Sequence, residues 1–156
     1  MVSASRRVAH TVLVRVFEEG AYADRAFASE AEGLDPRDRA FAQRVAYGAI
    51  QRARTLDHAV ETLGGRPVEA MDVPVRAAIR LGAYELGYLG GVPPRASVNE
   101  AVELVKASPA RRAAGFANAV MRRVAEGIRD VLDALPESTA AEAAIKHSYP
   151  DWVAEI

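Results

Sequence analysis

The sequence predicts an all-α bundle of about seven helices, and three observations predict it. Nearly every apolar run repeats at i, i+3, i+4 and i+7, the period of one helix face, and no stretch alternates with the period of two that a strand needs. Half of the 156 residues are hydrophobic, enough for one core without covalent staples. Proline and glycine punctuate the chain between the periodic runs, which implies short loops joining neighbouring helices.

The elements follow in order. Ala9, Val12, Leu13, Val16 and Phe17 form the first apolar stripe, with Ser5 as the expected N-cap and Gly20 as the stop. A short second helix is expected around Asp24–Glu32. "LDPRDRAF" is a helix start, with Asp35 as cap, Pro36 in the first turn and Phe41, Val45, Gly48 and Ala49 facing inward. Leu56, Ala59, Val60 and Leu63 make a fourth helix that Gly64-Gly65 ends. Pro74 opens the fifth, whose stripe includes Ala78, Ile79, Gly82, Ala83 and Leu86; small Gly82 and Ala83 admit a close neighbour. "GGVPP" is a loop. "SVNE", 97–100, has the spacing of a capping box, so Ser97 is the expected cap of the sixth helix and Glu100 its reciprocal partner. Pro109 is the expected start of a long seventh helix with Ala113, Phe116, Ala117, Val120, Met121 and Val124 on its inner face.

Several chemistries are excluded by composition. No cysteine is present, so disulfides, thiolate metal sites and cysteine nucleophiles do not arise within these residues. No phosphate-binding glycine loop occurs, and His10, His58 and His147 stand far apart without metal-spaced partners. No metal and no catalytic residue is therefore expected. No apolar run approaches the ~18 residues of a membrane span, and no signal-peptide pattern opens the chain, so the expected location is cytoplasmic.

Net charge is −1, but the charges are segregated. Residues 37–54 hold five arginines against Asp38, and residues 106–129 hold Lys106 and five arginines against Glu126. Residues 130–156 hold six acids against Lys146. Local basic faces set the field an anionic partner feels, so a near-neutral total leaves nucleic acid open as a partner.

Five segments occur in order: "SRRVAHTVL", "DRAFAQRVAYGAI", "AIRLGAYEL", "VPPRASVNEAVELVK" and "GFANAVMRR". Together, over roughly residues 5–128, they resemble the NusB-like RNA-binding domain. "HSYPDW", 147–152, resembles the segment that follows this domain in the RsmB/Sun branch of ribosomal RNA cytosine-C5 methyltransferases. The resemblance implies a NusB-like RNA-binding domain over 1–130. Over 131–156 it implies an acidic linker and the start of a methyltransferase region that the chain lacks. The implied partners are RNA, small-subunit ribosomal RNA in particular, and the protein's own C-terminal methyltransferase domain. No cofactor is expected in this chain; S-adenosylmethionine belongs to the missing catalytic domain. Two alternatives stay open, a NusB-like transcription antitermination factor and a helical scaffold that binds no RNA.

The candidate RNA-binding residues are Arg6, Arg7, Arg111, Arg112, Arg122 and Arg123. Guanidinium suits phosphate because its donor fork matches the oxygens two at a time. On one continuous α-helix, eleven residues turn about 1100°, only ~20° beyond three full turns. Arg111 and Arg122 would then share one line and Arg112 and Arg123 a second, each ~16 Å long, with Arg129 extending the first. Arg6 and Arg7 match the basic N-terminal cluster of the family. Asn99 and Asn118 match two family asparagines, with a hydrogen bond between the last two helices as the favoured role and RNA contact by Asn118 as the other. Phe116 is expected in the core.

Overall fold

A computed structural model describes residues 2–148. It contains eight α-helices and, among the described residues, no strand. They are α1 (Ala4–Glu19), α2 (Ala23–Glu30), α3 (Pro36–Gln51), α4 (Ala53–Gly64), α5 (Val73–Tyr88), α6 (Pro94–Lys106), α7 (Ala114–Asp133) and α8 (Ala140–His147). Short 3₁₀ turns at Val68–Ala70 and Arg111–Ala113 precede α5 and α7.

Helix α5 is the axis of the bundle. It packs against α1, α3, α4, α6 and α7, and Ala77 through Ala83 are all buried. Small residues allow this. A side chain at Gly82 would lie 2.4 Å from Met121 Cε of α7, and one at Gly48 of α3 would lie 2.1 Å from the Tyr84 ring. Leu13, Val45, Leu56, Ile79, Val105 and Met121 are fully or almost fully enclosed where the helices meet.

Most helix ends lie where the sequence puts them. Asp35 Oδ1 accepts from the Asp38 amide at 2.8 Å, and Gly20 ends α1 in the left-handed region at φ 71°. The cap of α1 is Ser3, whose hydroxyl accepts from the Arg6 amide; Ser5 lies inside the helix and is buried.

The capping box expected at 97–100 does not form. Helix α6 begins at Pro94, so Ser97 sits within its first turn, buried, with its Oγ donating to Glu85 Oε1 at 2.9 Å. Prolines 93 and 94 supply the helix-starting geometry, which leaves the serine hydroxyl free for a tertiary partner. A capping box forms instead at Thr139 and Glu142, opening α8.

The bundle also runs past residue 130, where a linker was expected. Helix α7 continues to Asp133, Leu135 is buried, and α8 packs on α4. Ala144 is fully buried there, and the Thr55 hydroxyl donates to the Ile145 carbonyl across the contact. The acidic composition of 130–148 therefore marks a solvated outer face of packed structure. Residues 149–152 of "HSYPDW" lie outside the described residues.

Candidate nucleic-acid interface

The polar face of α6 and the facing side of α7 enclose a groove. On α6, Arg95, Asn99, Glu103 and Lys106 recur at helical spacing opposite the inward Val98, Ala101 and Val105. On α7, Gly115, Asn118 and Arg122 face them. Two contiguous clefts make up the groove, of about 340 and 260 Å³, and Asn99 and Asn118 line both. Arg95, Arg122 and Glu126 border one end; Lys106 borders the other and pairs with Glu103 at 3.4 Å.

Arg111, Arg112, Arg122 and Arg123 are all exposed, and among the described residues none of the four enters an ion pair or hydrogen bond. Arg122 stands on the groove itself. Arg111 and Arg112 are not on the same helix as Arg122 and Arg123. Residues 111–113 form a 3₁₀ turn, and the α-helix starts only at Ala114. A 3₁₀ turn advances about 120° and 2.0 Å per residue, so the two straight lines expected from α-helical spacing do not exist. What remains is a pair of arginines on a turn packed against α6 and α7 and a second pair on α7.

Arg6 leaves the list of RNA-binding candidates. Its guanidinium faces inward, 12% exposed, and is consumed by two carboxylates. Nε and Nη2 donate to Glu85 at 2.9 and 2.7 Å, and Nη1 donates to Glu100 at 3.2 Å. The Phe41 ring lies 5.0 Å from its centre. Burial works against the charge, but Glu85 and Glu100 outweigh it, so the Arg6 pKa is held above its ordinary value. Glu100 also accepts from the Ser3 amide, so this cluster fixes the start of α1 onto α5 and α6. Arg7, one residue on, is exposed and, among the described residues, donates only to the Val2 carbonyl, at 3.2 Å.

Arg129 is a structural cap as well. Its Nε and Nη2 donate to the Leu86 and Leu89 carbonyls, at 3.1 and 2.9 Å, and satisfy the end of α5. In the 37–54 segment, Arg39 and Arg52 lie over the Phe27 and Tyr88 rings, while Arg37 and Arg44 are exposed. Phe116 packs against the core with Arg66 over its ring, as expected of a core aromatic. Asn99 and Asn118 make no hydrogen bond with each other or with any other described residue. The inter-helix bond expected of them is replaced by an open groove.

Arg95 and Lys106 were not among the sequence candidates. The spacing 95, 99, 103, 106 is an i, i+4, i+8, i+11 face, and that polar stripe was readable beside the apolar one. Among the described residues, no group of three or more metal-binding side chains converges, and no helix is long and apolar enough to cross a membrane.

Comparison with known proteins places this arrangement. The chain is 34% identical to the probable ribosomal RNA small subunit methyltransferase B of Synechocystis, over all of this chain and 35% of that protein. It is 39% identical to ribosomal RNA small subunit methyltransferase B of Thermus thermophilus, over 76% of this chain and 26% of that one. It thus spans about a third of these relatives or less, aligned with their N-terminal part. The transcription antitermination protein NusB of Ralstonia pickettii is 34% identical over 65% of this chain and 66% of its own length. Among solved structures, antitermination factors NusB and NusE in complex with dsRNA match at a TM-score of 0.72 and 23% identity, over 79% of this chain and 94% of that one. T. maritima NusB matches at a TM-score of 0.71 and 20% identity, over 81% of this chain and 94% of that one. Both share the helical bundle. The NusB family model matches residues 3–126, and the chain belongs to the NusB family.

Proposed function

We propose that this chain is the RNA-binding, N-terminal part of an S-adenosylmethionine-dependent ribosomal RNA cytosine-C5 methyltransferase. In this reading it positions small-subunit ribosomal RNA for a catalytic domain that lies outside the segment and binds the cofactor. The protein would then act in the cytoplasm, where its RNA is, and its second partner would be its own methyltransferase domain. The observation that carries the reading is the extent of the match. The Synechocystis methyltransferase aligns along the whole chain, including the α8 region, whereas the Ralstonia antitermination protein aligns along 65% of it. The exposed arginines around the α6–α7 groove supply the means, because such cations bind phosphates and release counterions.

The Ralstonia relationship supports a second reading, a transcription antitermination factor. Reading the gene beyond codon 156 separates the two. A continuing frame with a cofactor-binding domain and cysteines supports the first, and a stop codon there the second.

RNA binding itself is tested with Arg111→Ala/Arg122→Ala. If each arginine neutralises one phosphate of single-stranded RNA, the log–log salt slope flattens by about 1.4 in total, at roughly 0.7 per contact. The two slopes are measured by RNA titration across a salt series, with circular dichroism confirming the fold. Equal affinities and parallel slopes would show that these arginines are merely solvated.

A further inference from the structure

The centre of the α6–α7 groove is uncharged, and its chemistry is that of two amides. Asn99 and Asn118 line both clefts, and neither side chain has a protein partner among the described residues. Asparagine is mildly unfavourable inside a helix, so two of them facing one groove without internal bonds need another explanation than local stability. A phosphate gains nothing between them, because neither amide carries a charge and the cations stand only toward the ends. Toward the ends stand Arg95 and Arg122, against the single acid Glu126, and Lys106, which is paired with Glu103; the two-arginine end is the one that suits a phosphate. What the centre accepts is a neutral, flat group rich in hydrogen-bonding edges, over a floor of Ala114 and Gly115. A side chain added at Gly115 would meet nothing within 4 Å, so that floor is open.

Resting on the reading that the chain binds RNA, we propose that Asn99 and Asn118 clamp one unstacked adenine base of single-stranded RNA in this groove, each amide reading one edge. An asparagine amide presents one donor and one acceptor side by side. Adenine answers that pattern on both edges, with N6–H and N7 on one and N6–H and N1 on the other. Guanine offers two acceptors, O6 and N7, on its major-groove edge, and the pyrimidines have only one edge with an adjacent donor and acceptor. Two asparagines that read the N7-side edge and the Watson–Crick edge together therefore select adenine, because guanine presents only acceptors on the first and the pyrimidines lack it. A flanking phosphate of the extruded nucleotide then falls toward Arg95 and Arg122 at the two-arginine end.

The test titrates single-stranded 12-mers of adenylate, cytidylate and uridylate, with fluorescence anisotropy as readout. One further adenylate 12-mer carries 7-deazaadenine, which removes the N7 acceptor without touching the protein. Wild type is expected to bind adenylate about tenfold more tightly than the pyrimidine strands, the low end of one bidentate pair's discrimination. The 7-deaza strand loses most of that preference. Asn99→Ala, at an exposed position, abolishes it with an unchanged salt slope, whereas Arg122→Ala flattens the slope and keeps the preference. RNA binding without base preference, or a preference that survives both Asn99→Ala and the 7-deaza substitution, overturns the clamp and leaves the RNA-binding reading standing. If wild type binds neither these strands nor ribosomal RNA, the RNA-binding reading falls and the clamp falls with it.

Discussion

At the scale of single residues, the largest departures from the sequence expectations concern hydroxyls and charges that found tertiary partners. Ser97 looked like a cap because serine, two intervening residues and glutamate have the right spacing. In the bundle it donates to a buried carboxylate, and a hydrogen bond to a charged group is worth about 1.5–3 kcal/mol against about 1 kcal/mol for a cap. Ser97→Ala is therefore expected to cost about 1.5–3 kcal/mol in urea denaturation, the signature of a lost bond to Glu85. A loss below about 0.5 kcal/mol would mean that Arg6 alone satisfies Glu85. His10 makes a separate, pH-dependent contribution. Its Nε2–H donates to the Pro74 carbonyl at 2.9 Å, and burial holds its pKa below the usual histidine value despite that bond. The unfolded chain takes up a proton near pH 6.5, while the folded chain resists until lower pH. The stability present above that pH is lost as pH falls toward the folded pKa. Denaturation midpoints of wild type and His10→Gln, measured from about pH 7.5 to 5, should diverge below about 6.5, with the variant falling less. Parallel curves would place no titration at His10.

At the scale of elements, the apolar period located the helices and the capping chemistry located several of their ends. Asp35, Pro36 and Gly20 act locally, through their own backbone neighbourhood, so a local reading finds them. The 3₁₀ turn at Arg111–Ala113 is different. Its sequence, arginines and alanine after Pro109, favours α-helix as strongly as the start of α7 does, and its tighter winding comes with packing against α6 and α7. That one distortion removed the straight arginine lines while leaving the arginines exposed. The Arg6 cluster was hidden for a related reason. Arg6, Glu85 and Glu100 are separated by 79 and 94 positions in sequence, and no periodicity links them. The groove was half visible, since its polar stripe on α6 has helical spacing while its facing wall depends on how α7 docks. Close helix approaches were visible in kind, through glycine. Gly48→Ala tests one of them: alanine favours a helix by about 1 kcal/mol. Here, however, the added methyl enters the space of the Tyr84 ring, which stacks on Tyr88 at 5.4 Å. Overpacking costs about 1–3 kcal/mol, so the variant should be net destabilised. A higher melting temperature than wild type would show that the ring moves aside freely.

At the scale of the whole molecule, charge and packing divide the labour between faces. Among the described residues, Arg95, Arg111, Arg112, Arg122 and Arg123 on α6, the turn before α7 and α7 are exposed without internal partners, as are Arg37 and Arg44 on α3, while the arginines nearer the core are bound to carboxylates, carbonyls or rings. An anionic ligand therefore meets cations whose recruitment breaks no internal bond. Helix α8 is the last element among the described residues, and it docks on α4. It is held by the burial of Ala144 and by the Thr55–Ile145 hydrogen bond, with eight residues and its own capping box. An aspartate at position 144 cannot be accommodated in that contact. The chain can escape the full cost by releasing α8, because local unfolding limits a penalty to the docking free energy of the element involved. Ala144→Asp should then lower stability by about 1–2 kcal/mol and the melting midpoint by roughly 2–8 °C, with fast amide exchange confined to α8. Ala59→Asp, at a fully buried position of α4, has no such escape and should unfold the bundle. Global unfolding of both variants would make α8 integral to the core, and unchanged exchange in Ala144→Asp would mean that α8 does not rest on α4 in solution.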